Sequence, residues 1–139
     1  MIILDTNVVS ELMKPAADPT VVQWFDRQSA ETLVLTTTGL AELLAGIERL
    51  PHGKRKENLH QTLIVLRSRI SQDPPCAFDE PAANTYALLV SRARSKGHTI
   101  SIADGQIAAI ASVNGFAVAT RDTAPFEAAG VVHINPWTT

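Results

Sequence analysis

Four acidic residues follow one another as Asp5, Glu42, Asp104 and Asp122, each where the local pattern suggests a strand end or an early helical turn. Asp5 closes the apolar run Ile2-Ile3-Leu4 and is followed by Thr6-Asn7, polar residues able to start a helix. Asp122 follows Ala117-Val118-Ala119-Thr120-Arg121, where a second apolar run ends the same way. If both runs are parallel strands of one open sheet, both carboxylates emerge at its carboxyl edge, where ligands of such folds bind. Carboxylates gathered there repel one another, and a divalent cation relieves the repulsion. Oxygen donors of this kind suit Mg²⁺ or Mn²⁺. Zinc is disfavoured, because Cys76 stands alone and His52, His60, His98 and His133 show no metal or triad spacing.

Each acid also has a purely structural reading. Asp5 could cap the helix after it. Glu42 lies between Gly39 and Gly46, three residues before and four after on its own helical face, and each glycine costs about 1 kcal/mol relative to alanine. Helix packing explains such glycines but not the acid between them; room for a ligand explains both. Asp104 falls in a first helical turn, where the dipole favours a carboxylate in any case. Its helical neighbours Ala108 and Ala111 are small and would leave space around it. Asp122 could simply close a turn towards Pro125. Thr6, Asn7 and Thr120 stand beside these acids and could hold a metal-bound water or a phosphate oxygen, although capping is the commoner task for such side chains. Arg121 could reach phosphate or pair with Asp122.

The elements that must position these residues alternate between short apolar runs and longer stretches of helical period, which favours an α/β sandwich with a mostly parallel sheet. A short helix from about Thr6 to Met13 stops before Pro15, and Asp18-Pro19 opens the next. Leu33-Val34-Leu35 reads as the second strand. Thr37 or Thr38 then caps a helix through Leu40, Leu43, Leu44, Ile47 and Leu50, ended by Pro51 and Gly53. Leu59, Leu63, Leu66 and Ile70 form the stripe of an amphipathic helix after Lys54-Arg55-Lys56, and Pro74-Pro75 breaks it. A short apolar piece at Ala77-Phe78 leads to a helix start at Asp79-Glu80-Pro81, with Tyr86, Leu89 and Val90 before Gly97. Ser101 caps a helix from Ile102 to about Val113. Asn114-Gly115 stops it, Phe116 to Thr120 is a strand, and Val131-Val132-His133-Ile134 is a last one.

With 139 residues, 45% of them apolar, the chain suits one core and one domain over residues 1–139. A single cysteine excludes an internal disulfide, and no apolar stretch approaches the roughly 20 residues that span a bilayer. The expected compartment is the cytoplasm, without membrane association. Net charge is −2, which argues against a generic basic nucleic-acid binder. Setting the four candidate acids aside leaves the remainder slightly basic, with concentrations at Lys54-Arg55-Lys56, Arg67 with Arg69, and Arg92-Arg94-Lys96. Most are solvated helix faces, but one could steer phosphate towards an acidic pocket.

Taken together, Ile3-Leu4-Asp5-Thr6-Asn7, Leu40-Ala41-Glu42-Leu43, Ala103-Asp104-Gly105-Gln106-Ile107-Ala108 and Ala119-Thr120-Arg121-Asp122-Thr123 resemble the PIN-domain family, and within it the VapC-type toxin ribonucleases of the FitB-like branch. The resemblance extends over Phe78-Asp79-Glu80-Pro81 and Asn135-Pro136-Trp137. It implies a three-layer sandwich, a Mg²⁺ or Mn²⁺ site built from the four acids, and RNA cleavage leaving 5′-phosphate and 3′-hydroxyl ends. It also implies a homodimer, able to build a larger assembly with a small antitoxin that holds it inactive and whose N-terminal part binds DNA. Many relatives carry the last acid in an Asn-x-x-Asp-Phe arrangement; here Pro125 precedes Phe126 and the acid is Asp122. Two rivals are a phosphoacceptor α/β enzyme and a non-catalytic PIN-like module binding RNA or protein. The first needs an Asp-x-Asp where the chain reads Asp5-Thr6-Asn7.

Overall fold

Aliphatic side chains point to both faces of the inner strands, so the sheet has to be covered twice. The computed structural model describes all residues from Met1 to Thr139. Four strands, β1 (Ile2–Leu4), β2 (Leu33–Val34), β3 (Ala117–Ala119) and β4 (His133–Ile134), form one parallel sheet in the order β2-β1-β3-β4. In register, Ile3 stands opposite Val34 on one side and Val118 on the other. These three face a core shared with α5 (Glu80–Ser95), α6 (Ile102–Asn114) and α7 (Ala124–Ala128). Their neighbours Leu4, Leu33 and Ala119 face the opposite core, built with α1 (Thr6–Leu12), α2 (Pro19–Asp26), α3 (Thr37–Glu48) and α4 (Lys54–Ser68). The period-2 alternation of side chains thus yields the expected three-layer α/β sandwich.

Polar residues at the turns set where the helices begin. Asp5, Asp18, Thr36, Asp79 and Ser101 each accept a bond from a backbone N–H in the following first turn. The cap of α3 is Thr36, one or two residues earlier than the expected Thr37 or Thr38, because the sheet edge continues past β2. The Cys76 N–H donates to the Leu35 carbonyl and the Thr37 N–H to the Cys76 carbonyl, both at 2.9 Å. The apolar piece expected at Ala77-Phe78 is therefore centred on Cys76, which bridges Thr36. Thr38, released from capping, donates its hydroxyl to Gln106 Oε1 at 2.9 Å and ties the first turns of α3 and α6 together.

Two further departures have local causes. The last strand is only His133–Ile134, because Val131 is drawn into the core, where its N–H donates to the Phe126 carbonyl at 2.9 Å. Residues after Asp122 form α7 where a turn was expected; Pro125 fits its first turn, and fully buried Phe126 anchors it. Gly115 ends α6 in the left-handed region at φ 68°, as Asn114-Gly115 suggests. No helix is long and apolar enough to cross a membrane.

Candidate active site

The chain leaves β1 towards β2 on one side, while β3 pairs with β1 on the other, so the carboxyl ends of β1 and β3 flank a topological switch point. Asp5 stands at the end of β1. Its N–H donates to the Ala119 carbonyl at 2.9 Å, continuing the ladder, and its residue surface is only 4% exposed. Oδ1 accepts the Thr6 N–H at 2.8 Å, and Oδ2 accepts the Thr120 hydroxyl at 2.8 Å and, more weakly, the Asn7 amide at 3.5 Å. The Asn7 amide also donates to Thr120 Oγ1 at 3.2 Å, while its Oδ1 accepts the Arg121 N–H at 3.1 Å. Because a backbone N–H can only donate, that last bond fixes which end of the Asn7 amide faces Asp5.

Glu42, Asp104 and Asp122 come from three other elements. Glu42 lies in the second turn of α3 and is exposed; Asp104 lies in the first turn of α6 and is half-buried; Asp122 follows β3 and is exposed. Burial pushes the Asp5 carboxyl above the usual carboxylate range against the pull of its Thr120 and Thr6 bonds, and the Asp104 charge pushes the same way. Glu42 is raised by desolvation first and then by the charges of Asp5 and Asp104. Asp104 is raised by burial, opposed by the Ser101 hydroxyl, with Asp122 adding repulsion. Asp5, Glu42 and Asp104 are thus linked by charge, and Asp122 reaches the set through Asp104. The three ion pairs, Lys14–Glu11, Lys56–Glu48 and Arg69–Asp26, all lie elsewhere, so none of the four has a cationic partner. The side chains nevertheless stand apart: no three His, Cys, Asp or Glu groups are gathered tightly enough to hold an ion.

Some expected surroundings differ. Gly39 is buried, and a Cβ there would come 3.1 Å from the Thr36 hydroxyl and 3.8 Å from the Thr6 methyl, so this glycine admits the cap and α1. Gly46 does border open space beside Glu42. Ala108 and Ala111 leave no room around Asp104, because both are packed into the core. Gly105 is the small residue that matters there: a Cβ would lie 2.7 Å from the Tyr86 ring, so its absence lets α5 approach α6. Arg121 forms no pair with Asp122; its guanidinium lies over the Trp137 ring, 5.1 Å from the centroid. Thr120 is wholly buried, with its hydroxyl engaged by protein groups.

A cavity of about 460 Å³ opens beside Glu42, the only one of the four acids in its lining, with Thr6, Gly46, Arg49, Arg55 and apolar walls. Asp122 borders a separate hollow of about 270 Å³ that includes His98. Within Lys54-Arg55-Lys56 the residues diverge: Arg55 faces the cavity, whereas Lys56 is buried and donates to Glu48 Oε1 at 3.0 Å. Sequence reasoning passed over Arg49. Its signal was its place seven residues after Glu42, two helical turns further along the same face.

The PIN-domain family model matches residues 2–131. The chain belongs to the PIN-domain family. It is 48% identical over 139 residues to the VapC ribonuclease Y4jK of Sinorhizobium fredii, covering 99% of this chain and 98% of that one. It is 42% identical over 137 residues to the toxin FitB of Neisseria gonorrhoeae, covering 99% of each. Among solved structures, FitAB bound to an IR36 DNA fragment superposes with a TM-score of 0.85 at 42% identity, covering 99% of this chain and 96% of that one.

Proposed function

We propose that this chain is a metal-dependent endoribonuclease, the toxin of a type II toxin–antitoxin pair, acting in the cytoplasm on RNA phosphodiester bonds at a site made by Asp5, Glu42, Asp104 and Asp122. The carrying observation is the set of mutually repelling acids at the β1/β3 switch point with no cationic partner. Carboxyls raised by burial and by one another's charge mark a region short of positive charge, and their hard oxygens suit Mg²⁺ or Mn²⁺. Because the carboxylates stand apart, the exposed acids Glu42 and Asp122 would have to turn inward to reach a shared cation. Asp5 and Asp104 would be the fixed holders. A divalent cation so held supplies Lewis acidity towards a phosphodiester and counters the charge of its transition state.

The protein's own groups do the rest. Arg49 and Arg55, free of carboxylate partners, would contact phosphates of the strand beside the scissile bond and so fix its register without reading bases. No side chain is a dedicated general base in this account. The structure of FitAB on DNA and the name of toxin FitB support an antitoxin partner in a DNA-binding complex. That the antitoxin is small and the toxin a homodimer is proposed on the family resemblance alone. Incubating the purified protein with RNA and Mn²⁺ or Mg²⁺ tests the activity. Metal-dependent cleavage that disappears in Asp5→Asn is expected; an inert wild-type protein would favour the non-catalytic module.

A further inference from the structure

The guanidinium of Arg121 lies 5.1 Å from the centroid of the Trp137 ring, a cation–π contact beyond the carboxyl ends of β3 and β4. Both partners are held. The Arg121 N–H donates to Asn7 Oδ1 at 3.1 Å, which ties the residue to the first turn of α1. Trp137 follows buried Pro136, donates its N–H to Asn135 Oδ1 at 2.9 Å, and packs against the core shared with α1 to α4. Anchoring the C-terminal segment needs only the indole and the proline. It does not need a cation that takes no part in the chain's three ion pairs and stays exposed immediately before Asp122.

The sheet order gives this pair a place relative to the acids. Glu42, Arg49 and Arg55 come from α3, α4 and the turn between them, which follow β2; Arg121 and Trp137 follow β3 and β4. In the order β2-β1-β3-β4 the two groups therefore flank Asp5 on β1 from opposite sides. A strand whose phosphates meet Arg49 and Arg55, and whose scissile bond reaches Asp5, carries its next nucleotides towards Arg121. A guanidinium backed by an indole is a fixed, planar and weakly hydrated surface, and unpaired bases stack on such planes. A base inside a duplex is already stacked on both faces and has none to offer.

We propose that Arg121, backed by Trp137, is a base-stacking platform that takes one unpaired nucleotide beside the scissile phosphate. It binds through the face of the base and not its edge, so it accepts any base. The assignment deepens the ribonuclease reading and rests on it for the strand being RNA.

Two RNA probes test it, a short oligouridylate and a ribose-phosphate oligomer of the same length built from abasic residues. Affinities are measured on the full chain with a chelator present, so that RNA is bound and not cut. Wild type should prefer the oligouridylate. Arg121→Lys, which keeps the charge and loses the plane, should bind the oligouridylate roughly tenfold more weakly, within the range for one stacked base. The same variant should match wild type on the abasic oligomer, and the salt dependence should not change, because the count of cations is the same. Trp137→Leu should show the same pattern; if a thermal melt shows that it does not fold, Arg121→Lys, altered at an exposed position, decides alone. Wild-type affinity of Arg121→Lys for the oligouridylate would overturn the proposal. So would an equal loss on both oligomers, which would trace the effect to a phosphate contact. Cleavage with Mn²⁺ separates the platform from the ribonuclease reading. A wild type that cuts RNA but binds both oligomers equally refutes the platform alone. One that prefers the oligouridylate through Arg121 but cuts nothing refutes the nuclease alone, and one that binds neither oligomer refutes both.

Discussion

Asp5 and the exposed pair Glu42 and Asp122, all assigned to the proposed site, live under opposite physical regimes. Asp5 is buried, receives hydrogen bonds at both oxygens and sits on the central strand of the sheet. Glu42 and Asp122 are exposed, and no side-chain hydrogen bond or ion pair restrains their carboxylates. The difference teaches that the site has an anchor and a rim. Rotamer freedom at the rim costs nothing until a ligand arrives, whereas the anchor carries a standing desolvation penalty that its donors only partly offset.

The sharpest way to break this comparison is to neutralise its two sides in turn. Asp5→Asn and Asp104→Asn should abolish Mn²⁺-dependent RNA cleavage while the protein stays folded, and Asp5→Asn should melt no lower than wild type, because a repelling buried charge is gone. Asp122→Asn, at the rim, should lower cleavage much less. Rates and melting curves measured on the three variants decide it; equal losses for Asp5 and Asp122 would erase the distinction between anchor and rim.

A smaller effect is expected from the partner. An acidic crevice without its cation attracts a guanidinium, which pairs with carboxylate through two parallel bonds where lysine cannot. The antitoxin should therefore silence the toxin by inserting an arginine among these acids. Apolar purchase is available beside Glu42, where Leu59 lines the cavity; Leu63, Leu66 and Ile70 of the same stripe are buried in the core. Replacing the arginines of the co-purified antitoxin one at a time should relieve inhibition at one of them. Inhibition that survives all the replacements would rule the mimicry out.

The smallest effect is in stability against pH. Asp5, Glu42 and Asp104 titrate above the usual carboxylate range in the folded chain, so the native state holds more protons than the unfolded one between the two values. Stability of the metal-free protein should then fall as pH rises through that window, and acidification from neutrality should raise the melting temperature by a few degrees. Glu11 and Glu48 act oppositely. The Asp18 N–H and Lys14 hold Glu11 below its ordinary value, and Lys56 does the same for Glu48, so the stability they add is lost once pH drops below about 4. Saturating Mn²⁺ should reverse the first trend, because protons then compete with the ion. Melting scans with and without metal would show both; a metal-free midpoint that declines steadily from neutrality would contradict the repulsion.

The strands and caps were legible in the sequence because their signals are local. An apolar run ending in Asp5 or Thr120, and a polar residue before each helical stripe, need only neighbouring residues to act. What remained illegible depends on distant partners. Thr36 captures the α3 cap because Cys76, forty residues on, extends the sheet edge beside it. Arg121 lies over Trp137 through a C-terminal segment that no spacing rule connects to it. The bonds around the Thr120 hydroxyl require Asp5, Asn7 and Asp122 in place at once. Ala108 and Ala111 misled because small size looks the same whether it makes room for a ligand or for a core.

Where a divalent cation binds is the most direct test of the proposed site. Anomalous diffraction from crystals soaked in Mn²⁺ should show a peak between Asp5, Glu42 and Asp104, with the Asp5 carboxylate oriented as it is now and Glu42 turned inward. A peak away from Asp5, or full occupancy at another acidic patch with none at the switch point, would contradict it.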